Sequence, residues 1–193
     1  MENILNRDTS SSPLGRQPLL AGGYQTPSQT VGPYFAYGLT PEQYLYDFKN
    51  LANNQLVSSI DNPNSIQISG KIFDGEGVVI PDAMIEIWDA GHQLFGRFGT
   101  GTDAQNRFVF SVLKPESNNG QAPYLSVILF MRGQLIHLYT RIYFSDEVLN
   151  VQDEVLNSIA SERRNTLIAQ KTKAGYEFNM YMQGEKETVF FEI

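Results

Sequence analysis

The sequence predicts an all-β fold, an antiparallel β-sandwich of the two-layer kind with a few short helices. Three observations carry this. Apolar residues recur with period two over many short stretches, glycine-rich turns separate those stretches, and no internal repeat runs through the 193 residues.

Taken in order, residues 1–23 contain Ser10-Ser11-Ser12-Pro13 and Gly22-Gly23 with little apolar content, and read as a polar tail ahead of a single domain over residues 24–193. Residues 26–35 combine Pro27 and Pro33, which fix their own φ, with Gly32, which admits a close neighbour. That segment is a pre-shaped loop presenting Tyr34 and Phe35. A short helix is expected from Pro41, with Thr40 as N-cap, Gln43 completing a weak capping box, and Tyr44, Leu45 and Phe48 on its buried side.

From Ile66 onward the pattern is mostly β. Ile66, Ile68 and Ile72 alternate with Gln67, Ser69 and Lys71, and residues 74–77 (Asp-Gly-Glu-Gly) end the strand. Residues 84–88 and 107–112 are further strands, and the glycine-rich stretch 96–101 between them is expected to be loop. Residues 124–131 are apolar on both faces, as in a covered central strand. Arg132-Gly133-Gln134 turns the chain into a strand over 135–144. Its two faces differ: Ile136, Leu138, Thr140, Ile142 and Phe144 on one side, His137, Tyr139, Arg141 and Tyr143 on the other. The second face suits a cleft wall or subunit contact, or long polar side chains lying over neighbouring loops.

Ser145-Asp146-Glu147 and Asp153-Glu154 carry helix-start chemistry, so one or two short helices belong near 145–159. Residues 176–182, a Gln183-Gly184-Glu185-Lys186 turn and residues 187–193 read as a closing hairpin.

Composition narrows the function classes. Net charge is −7 and the pI is near 4.8, which opposes phosphate backbones and anionic lipid. No nucleic-acid or membrane partner is expected. A small anionic ligand would need a local cation. With no cysteine, disulfides and thiolate metal sites are excluded, and without a signal-like or membrane-spanning apolar run the cytoplasm is the expected location.

Chemical motifs are sparse. The two histidines, His92 and His137, have no metal-ligand spacing, and no phosphate loop, dinucleotide loop or nucleophile elbow is present. Both read as structural or surface groups. Glu86, inside a half-buried strand, calls for an arginine partner.

The run Thr26-Pro-Ser-Gln-Thr-Val-Gly-Pro-Tyr34 resembles the N-terminal signature of the intradiol ring-cleavage dioxygenases. The resemblance continues through residues 66–73, 81–90, 108–115, 130–144 and 183–191, covering most of 24–193. It implies the β-sandwich of that family and a chemistry in which ferric iron, held by two tyrosines and two histidines, binds a catechol that is cleaved with O₂. Phenolate and imidazole donors suit ferric iron. By the resemblance, the histidine positions fall on Tyr124 and Ser126, one tyrosine position on Phe98, and the other in residues 116–121, which contain no tyrosine.

No metal ligand set is therefore expected in this chain, nor any catalytic residue of its own. The resemblance instead implies an iron-free α-type chain that works with a homologous iron-bearing β chain in a large hetero-oligomer, cleaving 3,4-dihydroxybenzoate. By the same resemblance, Thr30, Gly32, Pro33 and Tyr34 border the substrate pocket and Arg132 lies near the substrate carboxylate; Arg141, on the aromatic face of its strand, is read as scaffold or subunit contact. An arginine is suited to a desolvated carboxylate because its planar fork forms paired, charge-assisted bonds. The alternative is a non-catalytic β-sandwich carrier or binding module that keeps the fold without the chemistry.

Overall fold

Alternating apolar residues place one eight-stranded sheet at the centre of the molecule. The computed structural model describes residues 34–57, 62, 64–118 and 120–192. The tail over 1–23, and Thr30, Gly32 and Pro33 of the predicted pocket loop, lie outside the described residues.

Helix α1 (Tyr34–Leu39) and a 3-10 turn (Pro41–Tyr44) precede β1 (Ser65–Gly70), β2 (Ile72–Phe73), β3 (Met84–Asp89), β4 (Leu94–Gly99), β5 (Phe108–Leu113), β6 (Tyr124–Phe130) and β7 (Leu138–Phe144). Then come α2 (Glu154–Ser158), β8 (Ile168–Thr172), β9 (Gly175–Glu177) and β10 (Met180–Tyr181). Strand order in the main sheet is β4-β3-β6-β7-β8-β9-β1-β5.

The all-β expectation holds, but the sheet is mixed rather than purely antiparallel. β7 pairs with β8, β1 with β9 and β2 with β10 in parallel. The chain reaches β8 from β7 through a crossover that includes α2, long enough to restart in the same direction.

Ile68, Ile85, Ile87, Phe108, Phe110, Val112, Leu125, Val127, Leu129, Ile142 and Phe144 fill the inner face and are essentially inaccessible. Closure comes from residues 53–57. The Asn53 carbonyl accepts from Arg97 N on the β4 edge (3.1 Å), the Asn54 carbonyl accepts from Ser111 N on β5 (2.8 Å), and Leu56 N donates to the Ser111 carbonyl (2.9 Å). This segment seams the two sheet edges, so their backbone groups are paired rather than left open.

That seam explains why residues 96–99 are strand and not the predicted loop. A Cβ at Gly96 would run into the Leu56 side chain and press on the Asn53 carbonyl, so glycine there serves a close crossing, not a turn. Only 100–102 curl away, as a 3-10 turn. Other expectations also change. Leu45 is 95% exposed and Phe48 53% exposed, because the segment from Pro41 is one 3-10 turn that stops when Leu45 adopts φ 61°. Thr40 is buried without capping it through its side chain, and Gln43 reaches across to Gly99 and Thr102 instead.

β7 begins at Leu138, leaving Ile136 exposed, and β6 buries Leu125, Val127 and Leu129 while its other face is half-covered. The predicted closing hairpin is a turn with Glu187 N donating to the Gly184 carbonyl (3.0 Å). Beyond it Thr188 N bonds to Tyr181, and the chain then leaves to bridge Tyr139 through Phe191.

Candidate functional site

The loop signature ends in α1, whose Tyr37 touches Tyr44, a phenol that feels the charge of Asp82, the ion-pair partner of Arg132. Tyr37 on α1 meets Tyr44 edge-on, ring centroids 4.8 Å apart. The Tyr44 phenol titrates above its ordinary value, first because it is buried and then because Tyr37 and the Asp82 carboxylate lie near it. Asp82, at the entry to β3, pairs through Oδ2 with Nε of Arg132 at 2.8 Å. Gln43 locks the 3-10 turn to the end of β4, donating to the Gly99 carbonyl (2.9 Å) and accepting from Gly99 N (2.8 Å).

Of the predicted pocket residues, Tyr34 opens α1, and Arg132 is a turn residue after β6 with a 61% exposed side chain. Thr30, Gly32 and Pro33 lie outside the described residues. Sequence reasoning missed Asp82, Tyr44 and Gln43. The Pro81-Asp82 pair within the family-like stretch was the only available signal for the first of these.

The two positions that the resemblance matches to histidine ligands, Tyr124 and Ser126, lie on another surface, the outward face of β3, β4, β6 and β7. Cross-strand partners there are Phe95 with Trp88, Trp88 with Ser126, and Ser126 with Arg141. The Arg141 guanidinium stands 4.0 Å over the Tyr124 ring and donates to the Tyr143 hydroxyl at 3.1 Å. Tyr143 in turn donates to Asp153 Oδ1 (3.2 Å). Burial pushes the Tyr143 phenol up to about 12, against the opposing pull of Arg141, so it is a neutral phenol near pH 7 and no phenolate donor.

These residues do not fit ferric iron. Tyr124 lies under a fixed cation, Ser126 offers no imidazole, and a guanidinium beside a trivalent metal is opposed by several kcal/mol, to order of magnitude. Phe98 pairs with fully buried Ile85 and packs on the inner core, on the opposite face from Tyr124 and Ser126. A cavity of about 40 Å³ between Asp89, Pro115, Gln121 and Tyr124 is far too small for an aromatic acid.

The histidines are engaged elsewhere. His92 Nδ1 lies 2.7 Å from Asp89 Oδ2, and His137 Nε2 lies 2.7 Å from the Tyr139 hydroxyl. Among the described residues no three histidine, aspartate or glutamate side chains gather as a metal cluster. Glu86 has the predicted arginine: Arg97, across the β3–β4 pair, approaches Oε1 through Nε and a terminal nitrogen, both at 2.7 Å. Asp153 caps α2 as expected from Asp153-Glu154. Asp146 is not a helix-start charge. It collects Lys114, Lys171 and the Tyr176 hydroxyl, and these contacts hold its carboxyl well below the usual range despite partial burial.

Solved structures with this fold include the dioxygenase domain of a dioxygenase carbohydrate-binding protein fusion from Streptomyces sp. SirexAA-E, at TM-score 0.53 and 20% identity over 81% of this chain and 95% of that one. An intradiol ring-cleavage dioxygenase from Tetranychus urticae superposes with TM-score 0.53 and 13% identity over 70% and 87% of the two chains. The chain therefore has the intradiol dioxygenase fold. No family model matches the sequence. Among curated proteins it is 43% identical over 192 residues to the protocatechuate 3,4-dioxygenase alpha chain of Burkholderia cepacia, covering 88% of this chain and 98% of that protein. It is 35% identical to the alpha chain of the same name from Pseudomonas putida, covering 88% and 96%. The chain belongs to the protocatechuate 3,4-dioxygenase alpha-chain family.

Proposed function

We propose that this chain is the iron-free α subunit of protocatechuate 3,4-dioxygenase, acting in the cytoplasm within a large hetero-oligomer with a homologous β chain that holds Fe(III). The pair would cleave 3,4-dihydroxybenzoate between its hydroxyl-bearing carbons, both atoms of O₂ entering the product 3-carboxy-cis,cis-muconate. The observation that carries the reading is the outward face of β6 and β7, where Tyr124, Ser126 and Arg141 stand in place of a ligand set, in a chain that keeps the pocket loop and Arg132.

In this reading Thr30, Gly32, Pro33 and Tyr34 wall the pocket, and Arg132 receives the substrate carboxylate. Two facts support that role. Arg132 has a 61% exposed side chain, and apart from Asp82 no partner holds its guanidinium among the described residues. In a chain of net charge −7, an arginine positioned this way gives an anionic substrate the local cation it needs. Its contribution to the rate is orientation, because a fixed carboxylate fixes the ring hydroxyls with it.

The test is Arg132→Ala in the complex co-expressed with an iron-bearing β chain. KM for protocatechuate is expected to rise on the order of 10- to 100-fold with iron content unchanged, as loss of a charge-assisted contact predicts. Loss of iron, or an unchanged KM, would show that Arg132 serves the fold. A carrier module that keeps the fold alone would not associate with such a partner.

A further inference from the structure

Among the described residues Arg132 has one ion-pair partner, and the atom used decides what the rest of the guanidinium can do. Asp82 Oδ2 takes Nε, at 2.8 Å. An arginine can grip a carboxylate side-on, through Nε and one terminal nitrogen, or end-on, through both terminal nitrogens. Side-on pairing with a second carboxylate is crowded by Oδ2 of Asp82, which lies 2.8 Å from Nε. End-on pairing is open, since no described residue takes the terminal nitrogens. Because the side chain sits on an exposed turn, the contact with Asp82 also removes rotamers that a free arginine would sample.

Asp82 is placed for holding rather than for solvation. Its side chain is only 17% exposed, and Oδ1 is buried with no hydrogen-bond partner among the described residues. A carboxylate kept half-satisfied in a protein interior calls for a reason. Gln134, two residues beyond the arginine, likewise keeps both amide atoms buried without partners among the described residues. Tyr44 lies near enough to Asp82 to feel its charge, and the Gln43 lock fixes the 3-10 turn that carries Tyr44.

We propose that Asp82 is the positioning residue for Arg132, holding Nε so that both terminal nitrogens form an end-on fork for the substrate carboxylate. This rests on the reading of Arg132 as the carboxylate receptor. Asp82 itself does not touch substrate. Its negative charge weakens the long-range pull on an anion, so the gain lies in orientation alone, and orientation separates the role from simple neutralisation.

The experiment uses the co-expressed complex with Asp82→Ala, Asp82→Asn and Arg132→Ala, measuring KM for protocatechuate and the inhibition constant of catechol, which lacks the carboxylate. Asp82→Ala is expected to raise KM about five- to tenfold while leaving catechol binding and iron content unchanged, the scale of one lost constraint on a charge-assisted contact. Asp82→Asn retains an acceptor for Nε and is expected to stay within about twofold of the parent. In an Arg132→Ala background, Asp82→Ala should add nothing. Should Asp82→Ala not assemble, Asp82→Leu removes the acceptor at similar shape and is held to the same expectation. An equal weakening of catechol, or a lowered KM in Asp82→Ala, overturns the positioning role. If Arg132→Ala itself leaves KM unchanged, the receptor reading fails first, and the two failures are distinguishable.

Discussion

Asp153 offers the sharpest test of how the outward face is held together. It is fully buried, and its oxygens accept from Ala122 N (2.9 Å), Leu156 N (2.9 Å) and the Tyr143 hydroxyl (3.2 Å). Asp153→Ala removes an N-cap worth about 1 kcal/mol and leaves two further buried donors unsatisfied, at roughly 1 to 3 kcal/mol each. Release of a buried carboxylate offsets part of this, so the net loss is expected near 3 kcal/mol. For a domain of this size that lowers Tm by about 6–12 °C. Asp153→Asn keeps the acceptor for Leu156 N and Tyr143 but can set an amide donor against Ala122 N, so about half that loss is expected. Urea unfolding followed by far-UV circular dichroism, with m-values compared, measures both. A loss below about 0.5 kcal/mol for Asp153→Ala would refute the assignment of Asp153 as the junction of β6, β7 and α2.

Tyr143 should titrate near 12 in the folded chain, seen as the difference in ultraviolet absorbance titration between the parent and Tyr143→Phe. An unfolded tyrosine ionises near 10, so the neutral phenol stabilises the fold fully below about pH 10, and that contribution of roughly 2–3 kcal/mol is lost as pH rises through about 12. Titration of this phenol near pH 10 would contradict its burial against Asp153. Gly70→Ala should lower stability by roughly 2–4 kcal/mol in the same urea assay, because a Cβ there would overlap the Phe178 carbonyl and backbone cannot move aside cheaply. A neutral substitution would mean that β1 and the chain after β9 lie further apart than described.

Much of the sheet was legible because strand periodicity and burial coincide. Ile68, Val112 and Leu129 fall inside as alternation demands, and Glu86 finds Arg97 because a charge in a half-buried strand must be answered by a neighbour. β4 was illegible for a specific reason. Gly96 looks like a turn residue in the sequence, yet it serves a close crossing by residues 53–56, which only tertiary structure reveals. Leu45 and Phe48 misled in the opposite direction, being apolar residues with no described core to enter.

The missing imidazoles could be read directly from the sequence, because two histidines without the right spacing cannot supply them. What replaces them could not. That Arg141 lies over Tyr124 follows from the β6–β7 register, and that Phe98 faces the core follows from its pairing with Ile85. Asp82 was hidden for a similar reason. Its partner lies fifty residues away and meets it only where the β6–β7 turn returns to the start of β3.

The central claim, that the chain completes a site whose metal belongs to a partner, is tested most directly by iron content and protocatechuate-dependent O₂ uptake of this chain alone, of an iron-bearing β chain alone, and of the two co-expressed. The account predicts no stoichiometric iron and no turnover for this chain alone, with full uptake and iron only when the β chain is present. Stoichiometric iron with protocatechuate-dependent O₂ uptake from this chain by itself would contradict it.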